Sequence, residues 1–221
     1  MKFFDRLQQE TQQERDFLLS SPIIHRCLAG EIAVQDYCDF LTEAYHHVKH
    51  TVPLLMAVGS RLTDQQEWLR EAVAHYIDEE IGHQEWILND IAASGNDKEA
   101  VRHSWPAAAT ELMVAYAYDT IQRVNPLGFF GMVQVLEGTS ATLADRAASA
   151  ISNTLNLPEN ALTYLRSHGS LDLQHIRFLE DLMNRIALPA DQQQIIHSSK
   201  MFYRLYANIF RSLGTEQVLA A

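Results

Sequence analysis

Along nearly all of the 221 residues, apolar side chains return every three to four positions. That is the spacing of one face of an α-helix and not of a strand. Alternating Val/Ile/Thr-rich segments and hairpin dipeptides are missing, so the chain reads as all-α. The periodicity is interrupted only at short runs of helix-ending residues: SSP at 20–22, LAGE at 28–31, LTD at 62–64, SGND at 94–97, NPLG at 125–128, LPEN at 157–160 and LPAD at 188–191. These breaks predict seven or eight helices. Several segments are long and their connections short, which favours antiparallel neighbours in one bundle, a single domain over residues 1–221.

Some of the apolar stripes carry groups that do not belong in a core. In the stretch HGSLDLQH at 168–175, the side chains of His168, Asp172 and His175 fall within an arc of about 60° on a helix. The same arc holds Leu165, Leu179, Leu182 and Ile186, the face expected to turn inward. An ionised carboxylate placed there costs several kcal/mol unless something compensates it. Either a hydrogen-bonded network of His, Asp and water or a metal ion meets that requirement.

Three other segments bear on the choice. Glu137 projects with Phe130, Val133, Ala141, Ala144, Ala148 and Ile151, opposite Arg146, so it points inward among small neighbours that leave room beside it. Between 64 and 92 the stripe of Leu69, Val73, Ile77, Ile87 and Ile91 is centred on Glu80, with His83 about 60° to one side. Read as one helix, Glu80 and His83 form an i, i+3 pair able to offer an oxygen and a nitrogen to one cation, with Glu79 at the edge of the stripe and His75 outward. From 32 to 58 the pattern is two-sided. Glu43, His47 and His50 share an arc with Phe40 and Leu54, whereas Leu41, Val48, Val52 and Leu55 make a better apolar face opposite. Periodicity alone leaves Glu43 at the surface, although Glu43-x-x-His46 repeats the Glu-x-x-His spacing and a helix between two layers buries both faces. The convergent donors are oxygens and imidazole nitrogens without thiolate, suited to iron or manganese, and more numerous than one ion needs.

The order Glu43, Glu80-x-x-His83, Glu137, His168-x-x-x-Asp172-x-x-His175 resembles the haem-oxygenase-like di-iron oxidases and oxygenases, relatives of the TenA-like and pyrroloquinoline-quinone-synthase-like proteins. The resemblance covers about residues 35–180 and is strongest in the His-x-x-x-Asp-x-x-His run. It implies a seven-helix haem-oxygenase-like (TenA-like) bundle without haem. It also implies two irons, or one manganese and one iron, held by Glu43, Glu80, His83, Glu137, His168, Asp172 and His175, with no catalytic residue distinct from these ligands. O2 is then the co-substrate of an oxidase or oxygenase acting on a small molecule, through C–C cleavage of a carboxylic or amino acid or through N-oxygenation. Members also oxidise their own side chains, for which Tyr45, Tyr76, Tyr116, Tyr118 and Tyr164 are candidates. A homodimer is a further family expectation.

Charge and cysteine usage narrow the setting. A net charge of -11 without a basic cluster argues against nucleic acid or an anionic membrane as partner. The start MKFFDRLQQE lacks a secretory pattern, no apolar stretch approaches the roughly 20 residues of a membrane span, and only Cys27 and Cys38 occur, so a cytoplasmic setting is expected. Rival readings rest on other residues: a haem oxygenase using His25 with Gly128-x-x-Gly131 as a close-approach helix, a thiamin-degrading TenA-like enzyme needing a reactive Cys, a ferritin-like bundle, or a TenA-like ligand-binding or regulatory scaffold. Gly169 and Ser170 inside the ligand helix also lead to the expectation that residues 165–180 fray without metal, which amide exchange with and without Fe(II) tests.

Overall fold

The computed structural model describes residues 1–214, apart from the side chains of residues 168–174. The described residues form helices and no strand. The helices run α1 Phe3–Glu10, α2 Gln12–Leu19, α3 Pro22–Ala29, α4 Val34–Val48, α5 Thr51–Arg61, α6 Glu67–Glu80, α7 His83–Ala93, α8 Lys98–Arg102, α9 Ala108–Asp119, α10 Phe129–Leu155, α11 Thr163–Arg185 and α12 Pro189–Ser212.

Every break expected from the sequence is present, and each has a local cause. Pro22 and Pro189 sit at helix starts, where a missing N–H costs nothing. Gly30 ends α3 in the left-handed region at φ 73°, which an L side chain rarely adopts. Asp97 caps α8 by accepting from the N–H groups of Glu99 and Ala100. The structure also divides segments that the sequence reads as continuous, at Thr11, at Lys49–His50, at 103–107 and at Ile81–Gly82, so the described residues form twelve α-helices where seven or eight are expected. The last of these is a correction with consequences for the site. Glu80 closes α6 and His83 opens α7, with Gly82 at φ 94° between them, so the pair is not carried on one helical turn.

The long helix α10 lies at the centre, packed on α11, α12 and α3, while α4 packs on α7 and α9, and α5 on α6. Two apolar clusters result: a larger one around Phe130, Tyr76, Leu69 and Phe202, and a smaller one around Leu41, Ile87, Leu88 and Ile151. At Gly131 a side-chain carbon would meet the backbone N of Ser199 at 2.7 Å and the carbonyl O of Ile195 at 3.0 Å. The Gly128–Gly131 face of α10 is therefore occupied by α12, and substitution there forces the helices apart. Of the inward stripes, Leu165, His175, Leu179 and Leu182 on α11 and Ile186 just past it are buried, as are Phe130, Val133, Glu137, Ala144, Ala148 and Ile151 on α10, while Ala141 is half-buried. No described helix is long and apolar enough to cross a membrane.

Candidate metal centre

The site lies where α6, α7, α10 and α11 meet, with α4 and α12 closing it. His83, the first residue of α7, is 3% exposed and its Nδ1 lies 3.1 Å from Oε2 of Glu80 across the Gly82 break. The indole of Trp86, one turn further along α7, sits over the His83 ring at 4.1 Å and keeps water from that side. On α11, His175 stands between two carboxylates from different helices. Its Nε2 is 3.2 Å from Oε2 of Glu79 and its Nδ1 is 3.7 Å from Oε1 of Glu137, within ion-pair range. The ring of Tyr76 packs edge-on against it at 6.0 Å.

A cavity of about 80 Å³ opens beside these groups, lined by His47, Tyr76, Glu80, Glu137, Tyr164 and Tyr206 among others. Room next to Glu137 is present, but along α10 it is bounded by Val133, Leu136 and Ser140 and not by the alanines to which the sequence traces it. Glu80, Glu137, His83 and His175 are thus brought to one region. Among the described residues no three His, Cys, Asp or Glu side chains are arranged to hold one ion; His83 faces Glu80, and His175 faces Glu79 and Glu137. His168 and Asp172 belong to α11, but their side chains lie outside the described residues.

Glu43 goes elsewhere. It is buried, as a two-sided α4 requires, but its carboxylate accepts the N–H of Ala107 at 3.2 Å and the hydroxyl of Thr110. Ala107 is the capping position of α9 and has no side-chain oxygen to offer, so Glu43 supplies from α4 the acceptor that the helix start lacks. Its place facing the cavity is taken by His47, about 100° further round the same helix than His46. His46 points the other way, to Ser104 Oγ at 2.9 Å and Lys49 Nζ at 3.1 Å, and burial pushes its pKa down to about 4, with Lys49 adding to the effect. His50 is bonded to Tyr118 at 3.2 Å.

Asp90 repeats the Glu43 arrangement. Fully buried on α7, it accepts from the hydroxyl of Thr163 and from the N–H of Tyr164 at 2.8 Å, capping α11, whose own capping position is Leu162. Tyr37 fastens the same corner by donating to the carbonyl of Ala161 at 2.8 Å.

Three residues of the site were not among the sequence candidates: Glu79, His47 and Tyr206. Glu79 was legible as the edge of a stripe and His47 as a member of the polar arc of α4. Tyr206 comes from α12, where no polar motif marks it. Of the tyrosines singled out, Tyr76 and Tyr164 reach the cavity. Tyr45 lies under Lys49, Tyr116 against Phe202 and Tyr118 against His50.

The family model for iron-containing redox enzymes matches residues 38–207. The chain belongs to that family. Its sequence match spans α4 to α12 and so includes every donor described above. Among solved structures, a domain of unknown function with a heme oxygenase-like fold from Shewanella denitrificans is similar at TM-score 0.90 and 27% identity, covering 98% of this chain and 94% of that one. A TenA homologue from P. horikoshii is similar at TM-score 0.76 and 10% identity, covering 96% of this chain and 99% of that one. Heme oxygenase-1 from Synechocystis is similar at TM-score 0.76 and 12% identity, covering 100% and 96%. The last two establish the fold alone. No curated protein matches the chain.

Proposed function

We propose that this family member is a non-haem oxidoreductase that uses O2 and a pair of metal ions, two Fe or one Mn and one Fe, to oxidise a small organic molecule. The observation that carries the reading is the convergence of Glu80, His83, Glu137 and His175 from four helices on one buried region beside a cavity. The donor chemistry fits iron or manganese: carboxylate oxygens and imidazole nitrogens, no thiolate, with Asp172 about one turn and His168 about two turns from His175 on the same helix. Glu79 and His47 are additional donors at the same place. Carboxylates turned inward onto imidazoles are well compensated by a cation.

When bound, the reduced ions supply the electrons for O2 activation. The chain's own residues do the rest. Trp86 and Tyr76 shield the imidazoles from water, Glu80 and Glu137 orient the rings of His83 and His175, and the cavity they line positions the substrate. C–C cleavage of a carboxylic or amino acid and N-oxygenation are both reactions that such a cavity admits.

The residues that a haem reading needs do not fit. His25 is exposed on α3, and the Gly128–Gly131 face of α10 is packed against α12. A cysteine nucleophile fits no better, since burial pushes the Cys27 thiol up to about 11 and raises that of Cys38 as well. Metal analysis of the chain produced with iron tests the proposal: about two ions per chain and O2 uptake after reduction are expected. No bound iron, or a Soret band on adding haem, overturns it.

A further inference from the structure

A separate cavity, of about 520 Å³, lies between the C-terminal end of α4, the end of α8 with the loop that follows it, and α9. That is the size of a small-molecule site, for which roughly 300–1,000 Å³ is usual. It shares no lining residue with the cavity beside Glu80 and Glu137. The two spaces lie on different faces of α4, so that His46 lines one and its neighbour His47 the other.

The cations on its wall are in different states. Arg102 is spent, holding Glu85 through two bonds of 2.7 and 2.9 Å and Glu99 through its Nε. Lys49 is half-buried and, among the described residues, has no carboxylate partner. Its ammonium lies 3.1 Å from Nδ1 of His46 and over the ring of Tyr45 at 5.1 Å. An ammonium only donates, so Nδ1 is the acceptor and the ring proton sits on Nε2. Nε2 then donates to Ser104 Oγ at 2.9 Å, and that hydroxyl donates to the carbonyl of Val101 at 2.9 Å. The relay is closed at every atom but one. It fixes the ammonium at the cavity wall and uses a single one of its N–H donors, leaving the others and the charge uncompensated. Glu111, the carboxylate on the lining, is exposed and makes no ion pair with Lys49. The rest of the wall is Pro106, Val114, Ala115 and the indole of Trp105, which is 86% exposed although a side chain of that size is normally highly buried.

We infer that this cavity is a second small-molecule site, which takes an aromatic carboxylate with its carboxylate on the Lys49 ammonium and its ring against the Trp105 indole. One uncompensated cation calls for a monoanion, and a charge-assisted bond from a half-buried ammonium is stronger than one in open water. The indole supplies the flat apolar surface against which an aromatic ring stacks. No metal ion is needed, and the site stands or falls separately from the proposed function.

The test is calorimetric titration of the full chain with 2-naphthoate, with acetate, which has the charge without the ring, and with 2-naphthalenemethanol, which has the ring without the charge. Naphthoate is expected to bind equally with and without Fe(II), and at least tenfold more tightly than either of the others. Lys49→Met and Trp105→Ala are each expected to weaken naphthoate by about tenfold or more, and Lys49→Arg by less than Lys49→Met. Lys98→Met, which removes an exposed cation of α8 outside the lining, is expected to change nothing. Naphthoate that fails to bind wild type, or binds it no better than Lys49→Met and Trp105→Ala when their thermal transitions match, overturns the site. Equal weakening by Lys98→Met and Lys49→Met reduces it to an effect of net charge and overturns it as well. Binding that requires Fe(II) and ignores Lys49 places the ligand at the metal centre instead. Acetate as tight as naphthoate overturns the role of Trp105, and the alcohol as tight as naphthoate overturns that of Lys49.

Discussion

Two sets of inward-turned carboxylates in this chain, buried Glu43 and Asp90 on one side and buried Glu137 with half-buried Glu79 and Glu80 on the other, face different groups. Glu43 and Asp90 each reach across to a neighbouring helix and accept from its first backbone N–H groups and a threonine hydroxyl. Glu80, Glu137 and Glu79 face imidazoles on other elements. The first set is compensated by the positive end of a helix and needs no cation. The second set faces imidazoles, and under the proposed function a metal ion completes that environment. On that reading, what separates a proposed ligand from a cap is the group opposite and not spacing along the chain.

The comparison can be broken most forcefully at the metal. Glu137→Ala and Glu80→Ala are expected to lower iron content and O2 uptake by about a hundredfold or more, since removing a ligand exceeds the 10–100-fold cost of losing its supporting partner. Glu43→Ala is expected to leave iron content intact. If it strips the iron as Glu137→Ala does, the division into two sets is wrong.

The caps carry the next largest effect. Asp90→Ala leaves the Tyr164 N–H and the Thr163 hydroxyl without their buried acceptor, a loss of about 2–3 kcal/mol. In a chain of this size that lowers Tm by about 5–10 °C. Glu43→Ala should cost about 1–2 kcal/mol by the same reasoning, and differential scanning calorimetry of the two variants ranks them.

Burial raises the pKa of Asp90 despite its hydrogen bonds, so the folded state holds this proton more tightly than the unfolded one. Stability from Asp90 is then fullest below its unfolded value and declines as pH rises through the folded one. The gap between wild type and Asp90→Ala in urea unfolding should widen on going from pH 7 to pH 4. A gap that narrows means the ionised form is the one the cap prefers. The smallest effect is expected at Gly82→Ala: nothing lies within 4 Å of the added carbon, so the cost is that of φ 94° alone, about 1 kcal/mol by chemical denaturation.

The all-α class, the punctuation between helices and the inward faces of α10 and α11 were legible because periodicity and Pro/Gly/Asn chemistry are local. The partner of a buried acid is not local. Nothing in the sequence around Glu43 announces Ala107, and the repeated Glu-x-x-His spacing drew attention to His46 when His47 faces the cavity. The helix break between Glu80 and His83 had a visible signal in Gly82, outweighed by an apolar stripe that keeps its phase across the break: Leu69 and Val73 before it and Ile87 and Ile91 after it are all buried. His47, Glu79 and Tyr206 join the site through packing between α4, α6 and α12, which a single chain read end to end does not reveal.

Asp90 grips the first turn of α11 from two turns along α7, the helix that begins with His83. The imidazoles of His83 and His175 therefore ride on two helices clamped together at that corner, while Glu79 and Glu80 ride on α6, across the glycine joint. Widening or narrowing the gap between these two acids and the bases becomes an articulation about Gly82, with both bases and Glu137 of α10 on the same arm. Under the proposed function, cations of different radius or charge would be met at that joint, away from the oily interior.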